Sequence, residues 1–283
     1  MRIIVLGGLG LIGSGVMSVL TQNKNIDLFS TYSKSLHPKP EKLLKINYSY
    51  VNFEDKDSIN NIFDLKPNII INCVGITKHI SSHLNKKNIY LLNSDLPKYL
   101  DKESKKRNFS LIHISTDCVY SGSRGNYTED DKTDALDFYG HSKAIGEELN
   151  NSLILRTSTI GREIETQHGL LEWFLSQKTT CEGYRNAFFS GITNIELGLI
   201  IHDIIIPRIK DVKGIYNISS EKINKYELLK IFSKFYNKRI EIKKNFDFKI
   251  DRSLNSNKFK VEFNYVTKDW NKMLNQLDNH NTL

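Results

Sequence analysis

Tyr139 and Lys143 stand four residues apart within the segment 137–147, a spacing that places both side chains on one face of a helix. A tyrosine hydroxyl has an ordinary pKa of about 10, and a neighbouring ammonium favours the phenolate and lowers that pKa. Such a tyrosine can exchange a proton with a carbinol or carbonyl oxygen. The alternative is a half-buried surface tyrosine beside a solvated lysine. The pair therefore predicts acid–base chemistry only if the rest of the chain builds a site around it.

A glycine-rich turn near residue 1 predicts dinucleotide binding. The apolar run 2–6 leads into glycines at positions 7, 8, 10 and 13 and then into the helical pattern 16–20. Strand, glycine turn and helix are the context that the dinucleotide fingerprint requires, because backbone N–H groups and the positive helix end then face a pyrophosphate. The residues expected beside the pyrophosphate are Gly7, Gly10, Leu11, Ile12 and Gly13.

The end of the second predicted strand, 26–31, bears on the choice of cofactor. A cofactor with a free ribose 2′-hydroxyl commonly meets an Asp or Glu here, and residues 30–34 contain neither. Hydroxyl groups and Lys34 would tolerate a 2′-phosphate. The sequence therefore favours NADP (NADPH), with NAD also compatible. The alternative for Lys34 is simple solvation in a loop.

Two more strand ends carry polar residues. The apolar run 69–73 is typical of a strand buried on both faces of a parallel sheet, and residues 72–75 would lie at its carboxyl end, where ligands bind. The strand 110–115 runs into Ser115 and Thr116, and alternation lets only one of these hydroxyls face the site. Asn93, within a helical stretch at 87–107 that Pro97 bends or restarts, supports the site or lies on a polar helix face.

The pattern as a whole predicts an α/β fold. Strands at 2–6, 26–31, 48–53, 69–73, 110–115 and 153–156 alternate with helices, which indicates a doubly wound (Rossmann) parallel sheet. We assign residues 1–156 to a dinucleotide-binding domain. Residues 157–283 form a smaller C-terminal α/β substrate lobe, with the allowance that part of it returns to the first domain. In that lobe we expect helices at 170–177, 194–206, 225–236 and 267–277 and strands at 214–218 and 240–243.

Composition limits the classes of function. The net charge of +8 is spread among 32 acidic residues, without the compact basic stripe and stacking aromatics that nucleic-acid binding requires. The three cysteines are far apart and unpaired in sequence, which argues against a disulfide framework and a zinc site. Glycines interrupt the uncharged stretch 3–22, so we expect neither a leader peptide nor membrane insertion. The protein is expected to be cytoplasmic.

Four blocks in this order resemble the extended short-chain dehydrogenases/reductases, and within them the dTDP-4-dehydrorhamnose reductase (sugar-nucleotide reductase) branch. The blocks are residues 7–13, residues 115–120, residues 139–147 and residues 155–158. Weaker similarity continues through residues 191–193, 214–217 and 251–256, so the resemblance covers most of the chain. It implies a doubly wound NAD(P)H domain, a lobe that binds a nucleotide-sugar substrate, and in some relatives a homodimer.

The resemblance also implies roles for individual residues. Thr116 would orient the substrate carbonyl, Tyr139 would be the general acid, and Lys143 would lower the tyrosine pKa and bind the nicotinamide ribose. Arg252 would contact the substrate pyrophosphate, with a structural salt bridge as the alternative. The stretch expected to pass beneath the cofactor comprises Asn72, Cys73 and Val74. No metal site carries over, because the sequence shows no His/Asp/Glu cluster.

These observations favour an NADPH-dependent reductase of a nucleoside-diphosphate 4-keto-6-deoxyhexose that serves surface polysaccharide biosynthesis. One alternative is an epimerase or dehydratase of the same superfamily, although a dehydratase would be expected to have an Asp-Glu pair after Thr116, where this chain has Asp117-Cys118. A second alternative is a non-catalytic NADP-binding regulatory subunit. The intact Thr116, Tyr139 and Lys143 argue against that second alternative.

Overall fold

The computed structural model describes residues 1–32, 47–77, 85–163 and 169–280. The strands are β1 Arg2–Leu6, β2 Asp27–Tyr32, β3 Asn47–Tyr50, β4 Ile69–Asn72, β5 Ser110–Thr116, β6 Leu153–Thr157, β7 Thr159–Ile160, β8 Thr180–Tyr184, β9 Ala187–Phe189, β10 Ile192–Thr193, β11 Gly214–Asn217, β12 Ile223–Asn224, β13 Glu241–Asn245 and β14 Ile250–Asp251. The helices are α1 Leu11–Leu20, α2 Lys56–Asp64, α3 Lys86–Tyr90, α4 Leu96–Arg107, α5 Phe138–Ile145, α6 Leu170–Ser176, α7 Asn194–Leu199, α8 Lys225–Phe235, α9 Asn257–Phe263 and α10 Trp270–Asn279.

Seven strands of the described chain form one sheet in the order β11-β6-β5-β4-β1-β2-β3, and every pairing in it is parallel. The chain winds outward from β1 in one direction through β2 and β3 and in the other through β4, β5 and β6. This order confirms the predicted doubly wound sheet. Its reversal point lies between β1 and β4, and in open α/β sheets ligands bind outside the carboxyl ends of the strands at such a point.

Apolar side chains on both faces of the sheet explain why its strands are buried. Ile3 and Val5 face one layer, where α1 and α7 pack, while Ile4 and Leu6 face the other, where α2 and α4 pack. This two-sided burial follows from strand alternation, since successive side chains point to opposite faces. The edge where β1, β4 and β5 end is called the carboxyl edge below.

The helical stretch before β5 is interrupted without being broken. A π-helical turn at Leu91–Asp95 joins α3 to α4, and Pro97 lies in the first turn of α4. Proline is tolerated there because the first N–H groups of a helix have no partner within it. A second π-helical turn follows α7, at Ile200–Ile205, within the predicted helix 194–206.

Residues after 157 form strands of the smaller sheets and also add one strand to the central sheet. β8 pairs with β13, and β9 pairs with both β12 and β14. Helix α8 packs through Phe232 against Phe174 and Trp270. β11, in contrast, pairs with β6 at the edge of the central sheet. The chain after residue 156 therefore does not form a sheet system independent of the first part, in keeping with the allowance that part of it returns there.

Candidate active site

The glycine turn after β1 leaves an open, positively polarised helix end. Gly7 has a φ of +75°, which glycine adopts without strain, and α1 begins after Gly10 with no side-chain cap and no acidic residue in its first turn. Its first N–H groups therefore point outward, as an anion-binding helix end requires. A Cβ on Gly10 would have as its nearest neighbour the carbonyl oxygen of Gly7, at 3.4 Å. The residues present thus fit a dinucleotide pyrophosphate.

Close packing explains the third glycine of the turn. A Cβ on Gly13 would lie 2.2 Å from the carbonyl oxygen of Gly7, so the helix can approach the turn only because Gly13 has no side chain. Leu11 and Ile12 lie between these glycines, partly exposed in the first turn of α1. Asn194 Nδ2 donates to the carbonyl oxygen of Leu11 over 2.8 Å, a contact that holds the turn and that the sequence did not indicate.

We expect Gly13→Ala to destabilise the protein and to weaken cofactor binding. The added methyl group would collide with backbone, which cannot move aside as a flexible side chain can, and overpacking of this kind costs about 1–3 kcal/mol. Thermal unfolding and titration with NADPH would measure both effects. Gly10→Ala is the matched control for stability, because its added methyl group meets ordinary van der Waals distances. Equal melting temperatures for the two variants would contradict the expectation.

The end of β2 lacks a carboxylate, as predicted. Thr31 Oγ1 accepts a hydrogen bond from the backbone N–H of Gly7 over 3.1 Å, and Ser30 Oγ donates to the carbonyl oxygen of Val5 over 3.1 Å. The Thr31 hydroxyl therefore connects β2 to the glycine turn, and the Ser30 hydroxyl connects β2 to β1. Lys34, predicted to favour a 2′-phosphate, lies outside the described residues.

The residues after β4 lie between the glycine turn and the lysine of α5. Val74 packs on the turn, since a Cβ on Gly7 would meet Val74 Cγ2 at 3.1 Å, and a Cβ on Gly75 would lie 3.7 Å from Lys143 Nζ. Asn72 is fully buried. Its amide contacts His113 Nδ1 at 3.1 Å and accepts the Val74 N–H over 3.1 Å. The side chain of Asn72 is therefore committed to shaping this segment, and its predicted cofactor contact could come only through its backbone.

Cys73 begins the same segment. The residue as a whole is partly buried. Burial of the thiol raises its pKa to about 12 because it disfavours the thiolate, and the charge of Lys143 acts in the opposite direction. The thiol is therefore protonated at neutral pH, and it contributes an uncharged surface beside Lys143.

Strand alternation separates the two hydroxyls at the end of β5. Ser115 is turned into the core, where its hydroxyl donates to Glu147. Thr116 is at the carboxyl edge, where its hydroxyl accepts from the N–H of Cys118 over 3.2 Å and donates to Asp117 over 3.2 Å. Thr116 also interacts with the hydroxyl of Tyr139. The structure therefore brings Thr116, and not Ser115, to the predicted acid.

Helix α5 presents Tyr139 and Lys143 to the carboxyl edge. Its first turn is capped by the side chain of Asp137, which accepts the N–H of Gly140 over 2.8 Å. Gly140 allows close approach, since a Cβ there would lie 2.1 Å from the carbonyl oxygen of Cys118. The helix is thereby pressed against the loop that follows Thr116.

The ionisation of the pair differs from the sequence-based expectation. Burial raises the pKa of Tyr139, and the hydrogen bond with Thr116 opposes that shift only in part. The ammonium of Lys143 donates to the carbonyl oxygen of Ile114 over 2.9 Å, and burial lowers its pKa to about 8. The predicted lowering of the Tyr139 pKa is therefore not found, because loss of water around the phenolate is the largest effect and negatively charged neighbours add to it. Tyr139 is protonated at neutral pH, as a proton donor must be.

Asn93 is a supporting residue whose role the sequence left open. It lies in the π-helical turn and is fully buried. Its amide oxygen accepts the N–H of Ile76 over 2.8 Å, and its amide nitrogen donates to the Ile76 carbonyl over 3.2 Å and to Ser142 Oγ over 3.0 Å. Asn93 thus ties the segment after β4 to the helix that carries Lys143. π-helical turns are frequent at functional sites.

A buried ion pair anchors the other end of that helix. Arg156 donates to both carboxylate oxygens of Glu147 at 2.7–3.1 Å, and both side chains are less than 5% exposed. Ser115 donates to the same carboxylate, and Arg156 Nη1 contacts the Tyr120 hydroxyl at 2.6 Å. The network joins α5 to β5 and β6. The sequence blocks contained these residues but did not indicate their contact.

A cavity of about 530 Å³ opens beside Asp117 and Cys118. Its charged lining comprises Asp117, Glu182, Lys225 and Arg252. Its apolar lining includes a group of aromatic rings, namely Trp173, Tyr184, Phe188, Phe189 and Phe248. The cavity thus combines cations and aromatic faces beside the loop that follows Thr116, an arrangement suited to a ligand that combines phosphate, base and sugar.

Arg252 lies in this cavity wall in a fixed orientation. Its Nε donates to the carbonyl oxygen of Tyr120 over 3.0 Å, its Nη1 donates to Cys118 Sγ over 3.4 Å, and its Nη2 lies 3.9 Å from Asp137 Oδ2. Both sequence-based alternatives for Arg252, ligand contact and salt bridge, are compatible with this position. Its charge also opposes the effect of burial, which raises the pKa of Asp117.

The described ranges contain no group of three or more His, Cys, Asp or Glu side chains placed to hold a metal ion. They also contain no helix whose length and apolar character would let it cross a membrane.

Structural comparison relates the fold to solved proteins. A hypothetical dTDP-4-dehydrorhamnose reductase from Sulfolobus tokodaii superposes with a TM-score of 0.78 at 22% identity, over 95% of this chain and 98% of that one. The dTDP-4-dehydrorhamnose reductase of Bacillus anthracis, solved in complex with NADP, gives a TM-score of 0.79 at 18% identity over 98% of both chains. At these identities the likeness establishes the fold.

Sequence comparison identifies the family. The dTDP-4-dehydrorhamnose reductase of Aggregatibacter actinomycetemcomitans is 30% identical over 164 residues, 56% of this chain and 51% of that protein. Methionine adenosyltransferase 2 subunit beta of Bos taurus is 29% identical over 170 residues, 58% of this chain and 48% of that protein. The matches thus span about half the length of these curated relatives. Residues 1–178 match the family model described as the RmlD substrate binding domain, and the chain belongs to that family.

Proposed function

We propose that this protein is an NADPH-dependent reductase of a nucleoside-diphosphate 4-keto-6-deoxyhexose, similar to the dTDP-4-dehydrorhamnose reductases and serving surface polysaccharide biosynthesis. The observation that carries the proposal is the meeting of Thr116, Tyr139 and Lys143 at the carboxyl edge. This trio lies between a glycine turn fit for a pyrophosphate and a cavity fit for a nucleotide sugar.

Each member of the trio has a distinct task in this proposal. A bound nicotinamide cofactor would supply the hydride. Tyr139, protonated because burial raises its pKa, donates its proton to the oxygen that was the keto group. Thr116 orients that oxygen by exchanging its 3.2 Å hydrogen bond to Asp117 for one to the substrate. Lys143, held by the Ile114 carbonyl, keeps a positive charge beside Tyr139 and near the segment 73–75.

Support for NADP over NAD comes from the end of β2. This strand end holds Ser30, Thr31 and Tyr32 and no acidic residue. An acidic residue there would accept a hydrogen bond from the ribose 2′-hydroxyl and would repel a 2′-phosphate. Support for a nucleotide substrate comes from Trp173, Tyr184 and Phe248, whose partly exposed rings in the cavity wall offer stacking surface for a base.

The test is nicotinamide absorbance on mixing the purified protein with NADPH, and separately NADH, and a panel of dTDP- and UDP-linked 4-keto-6-deoxy sugars. Loss of absorbance with one sugar supports the reductase and names its substrate. Cofactor binding without consumption would favour a superfamily epimerase or dehydratase or a regulatory subunit. The last has a specific reason to be kept, since methionine adenosyltransferase 2 subunit beta is among the matching relatives.

We predict that kcat/KM falls as the pH rises through about 8. Burial lowers the pKa of Lys143 to about 8, so its ammonium is present below that pH and lost above it. An ordinary lysine would keep its charge to about pH 10. A pH profile of initial rates measures the effect.

Lys225 complicates that profile, because burial also lowers its pKa to about 8. The same profile recorded on Lys225→Arg, whose guanidinium stays protonated throughout, isolates the contribution of Lys143. A profile in that variant that remains flat from pH 7 to 9.5 would show that the charge of Lys143 is not required.

Two further expectations stay predictions. A homodimer is compatible with the family resemblance, and a cytoplasmic location is the other.

A further inference from the structure

The surroundings of Lys225 do not fully compensate the positive charge of its ammonium. It is the first residue of α8, and its amine lies 3.8 Å from the centroid of the Phe189 ring, in the wall of the cavity. Within the described ranges, no carboxylate approaches this amine to ion-pair distance, taken as 4.0 Å. The face of Phe189 offsets only part of the cost of keeping an ammonium without an ion-pair partner beside the cavity.

Helix geometry adds to that cost. The first turn of a helix carries partial positive charge, so a lysine at this position is unfavourable for stability. Asn224 caps the helix by accepting the N–H of Glu227 over 2.9 Å, so Lys225 is not needed to cap it. Burial lowers the pKa of the amine, while Asp117 and Cys118 act in the opposite direction. A residue that stability disfavours at this place is a candidate for ligand binding.

The other cation in the cavity is already engaged. Arg252 donates to the Tyr120 carbonyl and to Cys118 Sγ and lies near Asp137, which offsets part of its charge. A diphosphate bridge carries two negative charges and so calls for more positive charge than Arg252 provides. The remaining acidic groups in the lining are Asp117, whose charge is shared between both cations, and Glu182, which accepts from Asn245 over 2.8 Å.

We propose that Lys225 is a substrate-binding residue whose ammonium contacts the diphosphate bridge of the nucleotide sugar, beside Arg252. The inference rests on the proposed function in that it takes the cavity as the substrate site. A carboxylate on the sugar has the same oxyanion chemistry and is the other source of a partner for Lys225, so the experiment separates the two.

The experiment is calorimetric titration of the protein, saturated with NADP⁺, with dTDP, UDP and the free nucleosides. Saturation with NADP⁺ keeps these ligands out of the glycine turn. In Lys225→Met we expect the affinity for dTDP or UDP to fall about 10- to 100-fold, as for loss of a charged hydrogen bond. The affinity for the nucleosides should not change. Lys225→Arg should restore most of the loss.

Lys234→Met is the matched control, because Lys234 lies on the same helix but is exposed outside the cavity. It should bind dTDP and UDP as the unaltered protein does. An unchanged diphosphate affinity in Lys225→Met, with melting behaviour showing a folded protein, would overturn the proposal. So would a loss of diphosphate affinity equally large in Lys234→Met. Lys225→Gln replaces the methionine variant if the latter does not fold.

The outcome is independent of turnover. Diphosphate binding that depends on Lys225, together with no reduction of any sugar, would retain the diphosphate site and reject the reductase. If the protein reduces a sugar but its diphosphate affinity does not depend on Lys225, the reductase is retained and the diphosphate site is rejected.

Discussion

Tyr139→Phe is expected to lower kcat for keto-sugar reduction by about 10²- to 10⁴-fold, the range over which a positioned acid contributes. The variant keeps the aromatic ring and loses only the hydroxyl, which carries the proton and interacts with Thr116. Binding of NADPH should therefore change little. Initial rates under saturating substrate and a separate cofactor titration measure the two quantities.

Tyr90→Phe is the control for this substitution. Tyr90 packs on Phe138 at the start of the same helix, with ring centroids 4.9 Å apart, and its hydroxyl lies 3.3 Å from His141 Nδ1. Tyr90→Phe also removes a tyrosine hydroxyl beside α5, but this hydroxyl does not face Thr116. The kcat of this variant should therefore remain near that of the unaltered protein. A Tyr139→Phe variant that keeps more than about a tenth of the activity would remove Tyr139 as the acid.

Glu147→Gln is expected to destabilise the folded state by about 3–5 kcal/mol, the usual cost of breaking one side of a buried ion pair. The substitution leaves Arg156 charged in a site where its side chain is only 3% exposed. It also turns a carboxylate that accepts from Arg156 and Ser115 into an amide whose nitrogen can only donate. Urea denaturation, analysed for the free energy of unfolding, is the measurement.

The neighbouring glutamate provides the control for stability. Glu148 pairs with Lys98 at 2.6 Å, but its side chain is 68% exposed. Exposed pairs of this kind contribute about 0–1 kcal/mol, so Glu148→Gln should unfold almost as the unaltered protein does. Similar losses in the two variants would mean that the pair with Arg156 is not what stabilises the end of α5.

Sequence patterns predicted those parts of the fold whose side chains repeat with the period of the backbone. Ile69–Asn72 is buried at all four positions and begins with three successive isoleucines, a nearly continuous apolar run. Thr180–Tyr184 gave no such signal, because the two residues that it buries are Cys181 and Gly183. Because its inward positions are a cysteine and a glycine, this strand lacks the alternation of large apolar and polar side chains from which strands are predicted.

The site was predictable where spacing along one element decides geometry, as for Tyr139 and Lys143. It was not predictable where contacts join distant elements. The hydrogen bonds between Asn93 and Ile76 depend on a π-helical turn, which the spacing of apolar residues does not predict. Lys225 is one of 40 Lys and Arg residues, and only its place over Phe189 distinguishes it from a solvated charge. The pKa of Tyr139 depends on burial, which spacing does not determine.

The pairing of β11 with β6 also sets the order in which a nascent chain can fold. All five residues of β6 are buried in the finished sheet, yet their outer neighbour, Gly214–Asn217, is translated only after residues 158–213 have been added. At ~5–20 residues per second, the edge of β6 stays uncovered on the ribosome for about 3–12 s. An apolar strand with a free edge recruits other strands, so this interval is when the emerging polypeptide most needs a chaperone.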